Sequence, residues 1–320
     1  MRTIPALFGP YGGAAVEFLD RFERYRANAL WFHGFDPAAF EACAQHGVAA
    51  CVEFKTFRAD FAARPELIPL GVDGQPIRYG RLVQGVCLSQ KDFLEEVAAD
   101  LVAGLREFQP AGIWLDYLTY AGWFEVPDPD LQDSCFCAAC VADFCTATGL
   151  DTTSPEEILR TAAKQWERHK CERIAAFAGK YADLIHAYLP DCVVGAYMCP
   201  WRPEEFDRAL SRIFAQDYAM LAPAIDVFTP LIYCAKSGRG PGWGREFLEA
   251  SAAFVPHDRP VQLILDAKDF PASLRETAAS DHPSRGFQVF DGAAIFRDSH
   301  LSAEFAAAVE QIQRQPSAGQ

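Results

Sequence analysis

Short apolar runs alternate along the chain with stretches whose apolar positions recur three and four residues apart, the two periods that distinguish strands from amphipathic helices. Strands are expected at 3–8, 29–32, 48–54, 112–116, 193–198, 226–233, 261–265 and 286–290. Helical patterns fill 14–25, 37–45, 89–108, 154–188, 203–222, 245–254 and 302–313. In 89–108, Phe93, Leu94, Val97, Leu101 and Leu105 fall on one face, with Ser89 as a candidate N-cap. Residues 58–88 form a long connection with turn signals at Val72-Asp73-Gly74 and Pro76, and a connection of that length in a compact domain is usually functional.

Eight strand–helix repeats point to a (β/α)₈ barrel, one domain over 1–320 with a frayed polar tail at 312–320. A doubly wound open sheet is the runner-up, but no glycine fingerprint follows the first strand.

Composition narrows the partners. Half of the 320 residues are hydrophobic, enough for a sizeable core, and the net charge of −14 disfavours nucleic acid and anionic membranes as partners. The first twenty residues lack the apolar run of a signal peptide, and no apolar stretch approaches membrane-spanning length, so a cytoplasmic protein is expected. Eleven cysteines in that setting suggest reduced thiols and metal ligation rather than disulfides. The oligomeric state is open, a homo-oligomer included.

The chemistry concentrates in 112–145. An apolar strand delivers Asp116 at its end, an aromatic and proline-rich excursion follows, and the segment closes on Cys135, Cys137 and Cys140. Zinc takes four thiolate or imidazole ligands, and short cysteine spacings let one loop supply several. The fourth ligand is Cys87 or Cys145; Cys145 falls a turn or more into the following helix, where a packing role is expected.

Barrel enzymes place their chemistry at strand C-termini, where the carboxylates here are Glu53, Asp116, Asp266 and Asp291, with Asp269 a turn beyond Asp266. Glycoside hydrolysis needs two carboxyl groups, one to protonate the leaving oxygen and one to attack or to activate water. Asp116 is the first choice as nucleophile or base, and Asp266 ranks ahead of Glu53 as its acid partner. Tyr117, Tyr197, Trp201 and Tyr233 are candidate stacking surfaces for a sugar, with Trp123 and Trp243 beside them. His33 and Lys55 are placed to orient hydroxyls, as is Asp291. The loop 237–244 lacks the lysine and Ser/Thr of a phosphate cradle and reads as a wall of the pocket.

The C-x-C-x-x-C cluster after the fourth strand, with Cys87 upstream of the preceding helix, resembles that of zinc-containing β-galactosidases, and Phe144 resembles the aromatic that follows it there. The resemblance covers about residues 85–145 and the barrel pattern; a wider one, over GIWLDYLTY and CFCAAC, is to uncharacterised glycoside-hydrolase-like proteins. It implies a structural zinc on Cys87, Cys135, Cys137 and Cys140. Those galactosidases carry an Asn-Glu pair at strand four and a glutamate at strand seven; Asp116-Tyr117 and Asp266 stand there instead, so galactosidase activity does not carry over. An aspartate at strand four is similar to α-acting barrel glycosidases. The expectation is a glycoside hydrolase-like enzyme acting on an oligosaccharide or glycoside. The alternatives are a barrel that binds carbohydrate without cleaving it, and a barrel hydrolase or lyase with a non-sugar substrate.

Overall fold

The computed structural model describes residues 4–282 and 284–315. Eight parallel strands close into a barrel in chain order: β1 (Leu7–Tyr11), β2 (Ala29–His33), β3 (Ala49–Lys55), β4 (Gly112–Asp116), β5 (Val193–Met198), β6 (Val227–Ile232), β7 (Leu263–Asp266) and β8 (Gly286–Phe290). This is the (β/α)₈ architecture that the repeat pattern predicts. The helices are α1 (Pro37–His46), α2 (Lys91–Glu107), α3 (Ala138–Thr148), α4 (Pro155–Thr161), α5 (Ala163–Tyr188), α6 (Glu205–Arg212), α7 (Tyr218–Leu221), α8 (Trp243–Ser251), α9 (Ala272–Ala278), α10 (Ala293–Arg297) and α11 (Ser299–Arg314).

Successive strand residues face opposite sides, so each strand feeds two cores. Trp31, Cys51, Trp114, Tyr197 and Ile264 fill the barrel interior, where Trp31 and Trp114 meet edge to face at 5.3 Å. Phe32, Val52, Ile113, Leu115 and Val194 face outward into the larger layer beneath the helices. Interior polar groups are matched. Trp114 Nε1 donates to Thr229 Oγ1 at 2.8 Å, and the Tyr197 hydroxyl and Gln288 amide are hydrogen-bonded at 2.7 Å. Among the described residues no helix is long and apolar enough to cross a membrane.

Several boundaries differ from those expected, each for a visible reason. The first strand is Leu7–Tyr11 rather than 3–8, and residue 3 lies outside the described residues. Gly9 and Pro10 continue the strand past residue 8, and position 9 takes glycine because a Cβ there would lie 1.7 Å from Ala29 O. The segment after β1 is a 3₁₀ helix, Gly13–Arg21, rather than an α-helix over 14–25. Ser89 does not cap α2; Gln90 is the N-cap, and Ser89 Oγ lies 3.0 Å from Cys140 Sγ. The expected 203–222 helix is broken: Phe206, Asp207 and Arg208 are left-handed within α6, which ends at Arg212, Ala215 is left-handed again (φ 56°), and Asp217 starts α7 by accepting from Met220 N at 3.0 Å. α11 runs on through Arg314, so residues 312–314 are helical where a frayed tail is expected; residues 316–320 lie outside the described residues.

Candidate active site

The site follows from the register of neighbouring strands. β3 runs beside β4 with Glu53 opposite Trp114 and Lys55 opposite Asp116, and beside β2 with Glu53 opposite His33. A period of two then turns Cys51, Glu53 and Lys55 inward together. At the C-terminal mouth Glu53 and Lys55 meet a cavity of about 440 Å³. Its lining includes Glu53, Lys55, Asp116, Tyr117, Tyr197, Tyr233 and Asp291 of the sequence candidates. Tyr117 and Asp291 both hold left-handed backbone (φ 55°), a conformation costly for non-glycine residues and concentrated at functional sites.

The centre of the site is Glu53. It is 5 % exposed, and its Oε2 accepts from the Tyr11 hydroxyl at 2.6 Å with His33 Nδ1 at 3.1 Å. Lys55 Nζ lies 3.9 Å from Oε1. Asp116, at the end of the adjacent strand, completes the shell, and the two carboxyl groups interact directly. Two carboxyls in that contact share one proton, because both cannot ionise together at low cost. The surroundings decide which keeps it. Burial first, then the charge of Glu53 and the hydrogen bond to it, push Asp116 well above the usual carboxylate range. Burial works in the same direction on Glu53. The hydrogen bonds from His33, Asp116 and Tyr11, with the Lys55 charge, outweigh it and hold Glu53 at about 2. The surroundings therefore favour the proton on Asp116 and the charge on Glu53. Burial and the neighbouring carboxylate also push the Tyr11 phenol up, so it stays a donor.

Elsewhere on the wall, Lys236 Nζ sits 4.1 Å from the Tyr233 ring centroid and 4.7 Å from that of Phe290. It pairs with Glu125 Oε2 at 3.0 Å and with Asp266 Oδ2 at 3.5 Å. Asp266 is 2 % exposed and absent from the lining; its Oδ1 accepts from Lys268 N at 2.9 Å, the N-cap of a short 3₁₀ turn. Trp201 is likewise buried, packed edge-on against Phe124 and Phe214, and is absent from the cavity lining. His33 is largely exposed at the rim and reaches the site through Glu53. Asp116 and Glu53 are therefore brought together, whereas Asp116 and Asp266 are not in contact.

Sequence reasoning left out Tyr11, Gln84, Glu125 and Lys236, all on the lining. Tyr11 had a signal, since a strand extended through Gly9-Pro10 ends on it. The other three come from loops and carry none.

The cysteines form a second centre. One sulfur from each of Cys87, Cys135, Cys137 and Cys140 falls within 4.8 Å of all the others, with Cys87 Sγ 3.6 Å from Cys137 Sγ and 3.7 Å from Cys140 Sγ. Metal–sulfur bonds of about 2.3 Å in a tetrahedron put sulfurs roughly 3.8 Å apart, so the four fit one metal ion. Leu70 N donates to Cys135 Sγ at 3.3 Å and Cys140 N to Cys137 Sγ at 3.4 Å, which orients the sulfurs. Cys145 stands apart, its thiol donating to Thr152 O, so Cys87 is the fourth member. The cluster, with Phe136, Phe144 and Trp166, forms a small core that ties the β3–α2 connection to the loop after β4.

No protein-family model matches the sequence, and no curated protein matches it. Among solved structures the chain is similar to the PgaB (BpsB) glycoside hydrolase domain of Bordetella bronchiseptica: TM-score 0.72 at 12 % identity, covering 95 % of this chain and 98 % of that one. It is similar to the β-galactosidase of the haloarchaeon Halorubrum lacusprofundi, TM-score 0.68 at 13 % identity over 98 % of this chain and 59 % of that one. The cold-adapted β-galactosidase of Rahnella sp. R3 gives TM-score 0.67 at 14 % identity, with 99 % and 57 % covered. The chain thus has the barrel fold of glycoside hydrolases and spans just over half the length of those galactosidases.

Proposed function

We propose that the protein is a glycoside hydrolase-like enzyme that cleaves an O-glycosidic bond of an oligosaccharide or glycoside in the Asp116 cavity. The observation that carries this reading is the Asp116–Glu53 carboxyl pair at the ends of adjacent strands, inside a cavity walled by aromatic rings, where the surroundings raise Asp116 and lower Glu53. A protonated carboxyl at neutral pH is what a glycosidic leaving oxygen requires. Asp116 donates that proton. Glu53 keeps it on Asp116 in the resting enzyme and is itself fixed by Tyr11, His33 and Lys55.

The two carboxyls interact directly, whereas retaining enzymes separate theirs by about 5 to 5.5 Å and inverting ones by roughly 6.5 to 9.5 Å. They act as one unit on one side of the bond. Glu125, held by Lys236 on the same lining, serves the other side. Asp266 orients Lys236 instead of acting as the acid. Zinc is the ion assigned to the four cysteines. Four thiolates close its coordination sphere, so it supplies structure rather than chemistry.

Asp116→Asn tests the reading: turnover of oligosaccharides is lost while circular dichroism and melting show an intact fold, and unchanged kinetics would remove Asp116 from the reaction. A barrel that binds sugar without cleaving it is the second reading, favoured by the contact between Asp116 and Glu53. It predicts tight sugar binding in calorimetry with no product after prolonged incubation.

A further inference from the structure

A row of aromatic rings runs outward from the cavity wall. Phe124 and Phe214 line the cavity. Trp201 packs against both, 6.4 and 5.5 Å between ring centroids, and Phe206 closes on Trp201 at 4.3 Å. Trp201 is buried, but Phe206 is 38 % exposed, one of three large apolar side chains among the described residues left that open. It follows β5, in the connection at the C-terminal face of the barrel where the cavity lies. A lone exposed ring needs no explanation. The backbone that carries this one does.

Phe206, Asp207 and Arg208 are left-handed in succession, with φ of 50°, 53° and 58°. Residues other than glycine enter that region singly, and a run of three persists only where the surroundings impose it, as they do at functional sites. Polar contacts tie the turn on both sides. Glu205 accepts from Arg202 N at 2.7 Å and from Arg239 Nη2 at 2.6 Å, Arg212 Nε donates to Asp207 O at 3.1 Å, and Arg208 pairs with Glu167. None of these contacts involves the ring at 206. The turn is fixed independently of the ring it holds against Trp201 and open to solvent.

Resting on the glycoside reading above, we propose that Phe206 is a distal sugar-binding site: a unit of the substrate chain beyond those held in the cavity lays its C–H face on the Phe206 ring. The negative face of an aromatic ring attracts weakly positive C–H groups, and the ring row makes this platform continuous with the cavity. Its occupant is therefore the outer part of the same chain, and the ligand class is an oligosaccharide longer than the cavity encloses.

The test compares the wild type with Phe206→Leu, which keeps Trp201 covered and removes the ring, and with Phe206→Trp, which enlarges it. Turnover is followed on β-linked oligosaccharides of glucose, galactose and N-acetylglucosamine, each as a series from the disaccharide upward. On the longest members Phe206→Leu raises KM about ten-fold with little change in kcat, on the disaccharides it changes neither, and Phe206→Trp keeps the wild-type profile. Wild-type KM on the longest members, or an equal loss at every length, overturns the assignment, the second making Phe206 a prop for Trp201. Where Phe206→Leu does not fold, Phe206→Trp decides: its tryptophan emission, less that of the wild type, shifts with the longest members and not with disaccharides, and an unmoved emission overturns the distal site. A wild type silent on every series overturns the glycoside reading itself, and the distal site with it.

Discussion

The cysteine cluster and the carboxylate pair lie at opposite ends of one segment, the loop after β4, and they are assembled by different means. Three of the four cysteines sit within six residues, and backbone amides at Leu70 and Cys140 aim their sulfurs. The carboxylates are 63 positions apart in number (53 and 116) and meet because β3 and β4 pair in a register that sets Lys55 opposite Asp116. One centre is local and serves to fix loops. The other is built by the barrel, and its chemistry is electrostatic: desolvation raises both carboxyls, but their partners differ, so Asp116 is pushed up and Glu53 is held down. If this contrast is right, perturbing the first should cost stability and perturbing the second should cost catalysis.

The largest expected effect is on turnover. Asp116→Asn should lower kcat for an oligosaccharide by about 10²- to 10⁴-fold, the usual contribution of a general acid, in a steady-state assay of product formation. The same substitution should raise the melting temperature near neutral pH. Asp116 carries its proton in the fold but ionises in the unfolded chain above about pH 3.9, so stability falls as pH rises toward its elevated folded value, and Asn removes that slope.

Next in size is the tether of the loop that carries the cysteines. Lys170 is fully buried, with Nζ donating to Asp133 Oδ1 at 2.6 Å and to Arg212 O, and Arg212 Nη1 reaches Asp133 Oδ2 at 3.3 Å. Lys170→Met should destabilise by about 3 kcal/mol in urea unfolding, because half of a buried pair is removed. Cys140→Ser should act in the same sense. The purified variant should lose the roughly one metal per chain expected of the wild type by elemental analysis, melt several degrees lower, and expose the β3–α2 connection to proteolysis.

The smallest effect is a shift in pH profile. In Glu53→Gln the neighbouring negative charge is gone, so Asp116 loses its proton at lower pH and the alkaline limb of kcat/KM moves to the acid side by about one unit or more. In the wild type, Glu53 is held at about 2, so its contribution to stability is present above its unfolded value near 4.3 and is lost as pH falls through about 2. Acid unfolding of Glu53→Gln should lack that component.

The same contrast explains what could be read from the sequence. Cluster spacing and apolar runs are local properties, so the cysteine trio, the bounds of β4, β5 and β8, and Asp116 at a strand end were all legible. Ranking the carboxylates was not, because it depends on neighbours in space. Asp266 ends a strand as Asp116 does, but it is buried against Lys236 and its own turn amide. Glu53 gains its place through Tyr11, a residue past the expected end of the first strand. Gln84 and Lys236 reach the cavity from irregular loops, where no period announces them.

The most direct test of Asp116 as proton donor compares Asp116→Asn with the wild type on two substrates sharing one sugar, an oligosaccharide and an activated aryl glycoside whose leaving group needs no proton. The account predicts a loss of about 10²-fold or more on the oligosaccharide and a far smaller loss on the aryl glycoside. Equal losses on both would make Asp116 a nucleophile or base, and would contradict the assignment of the shared proton.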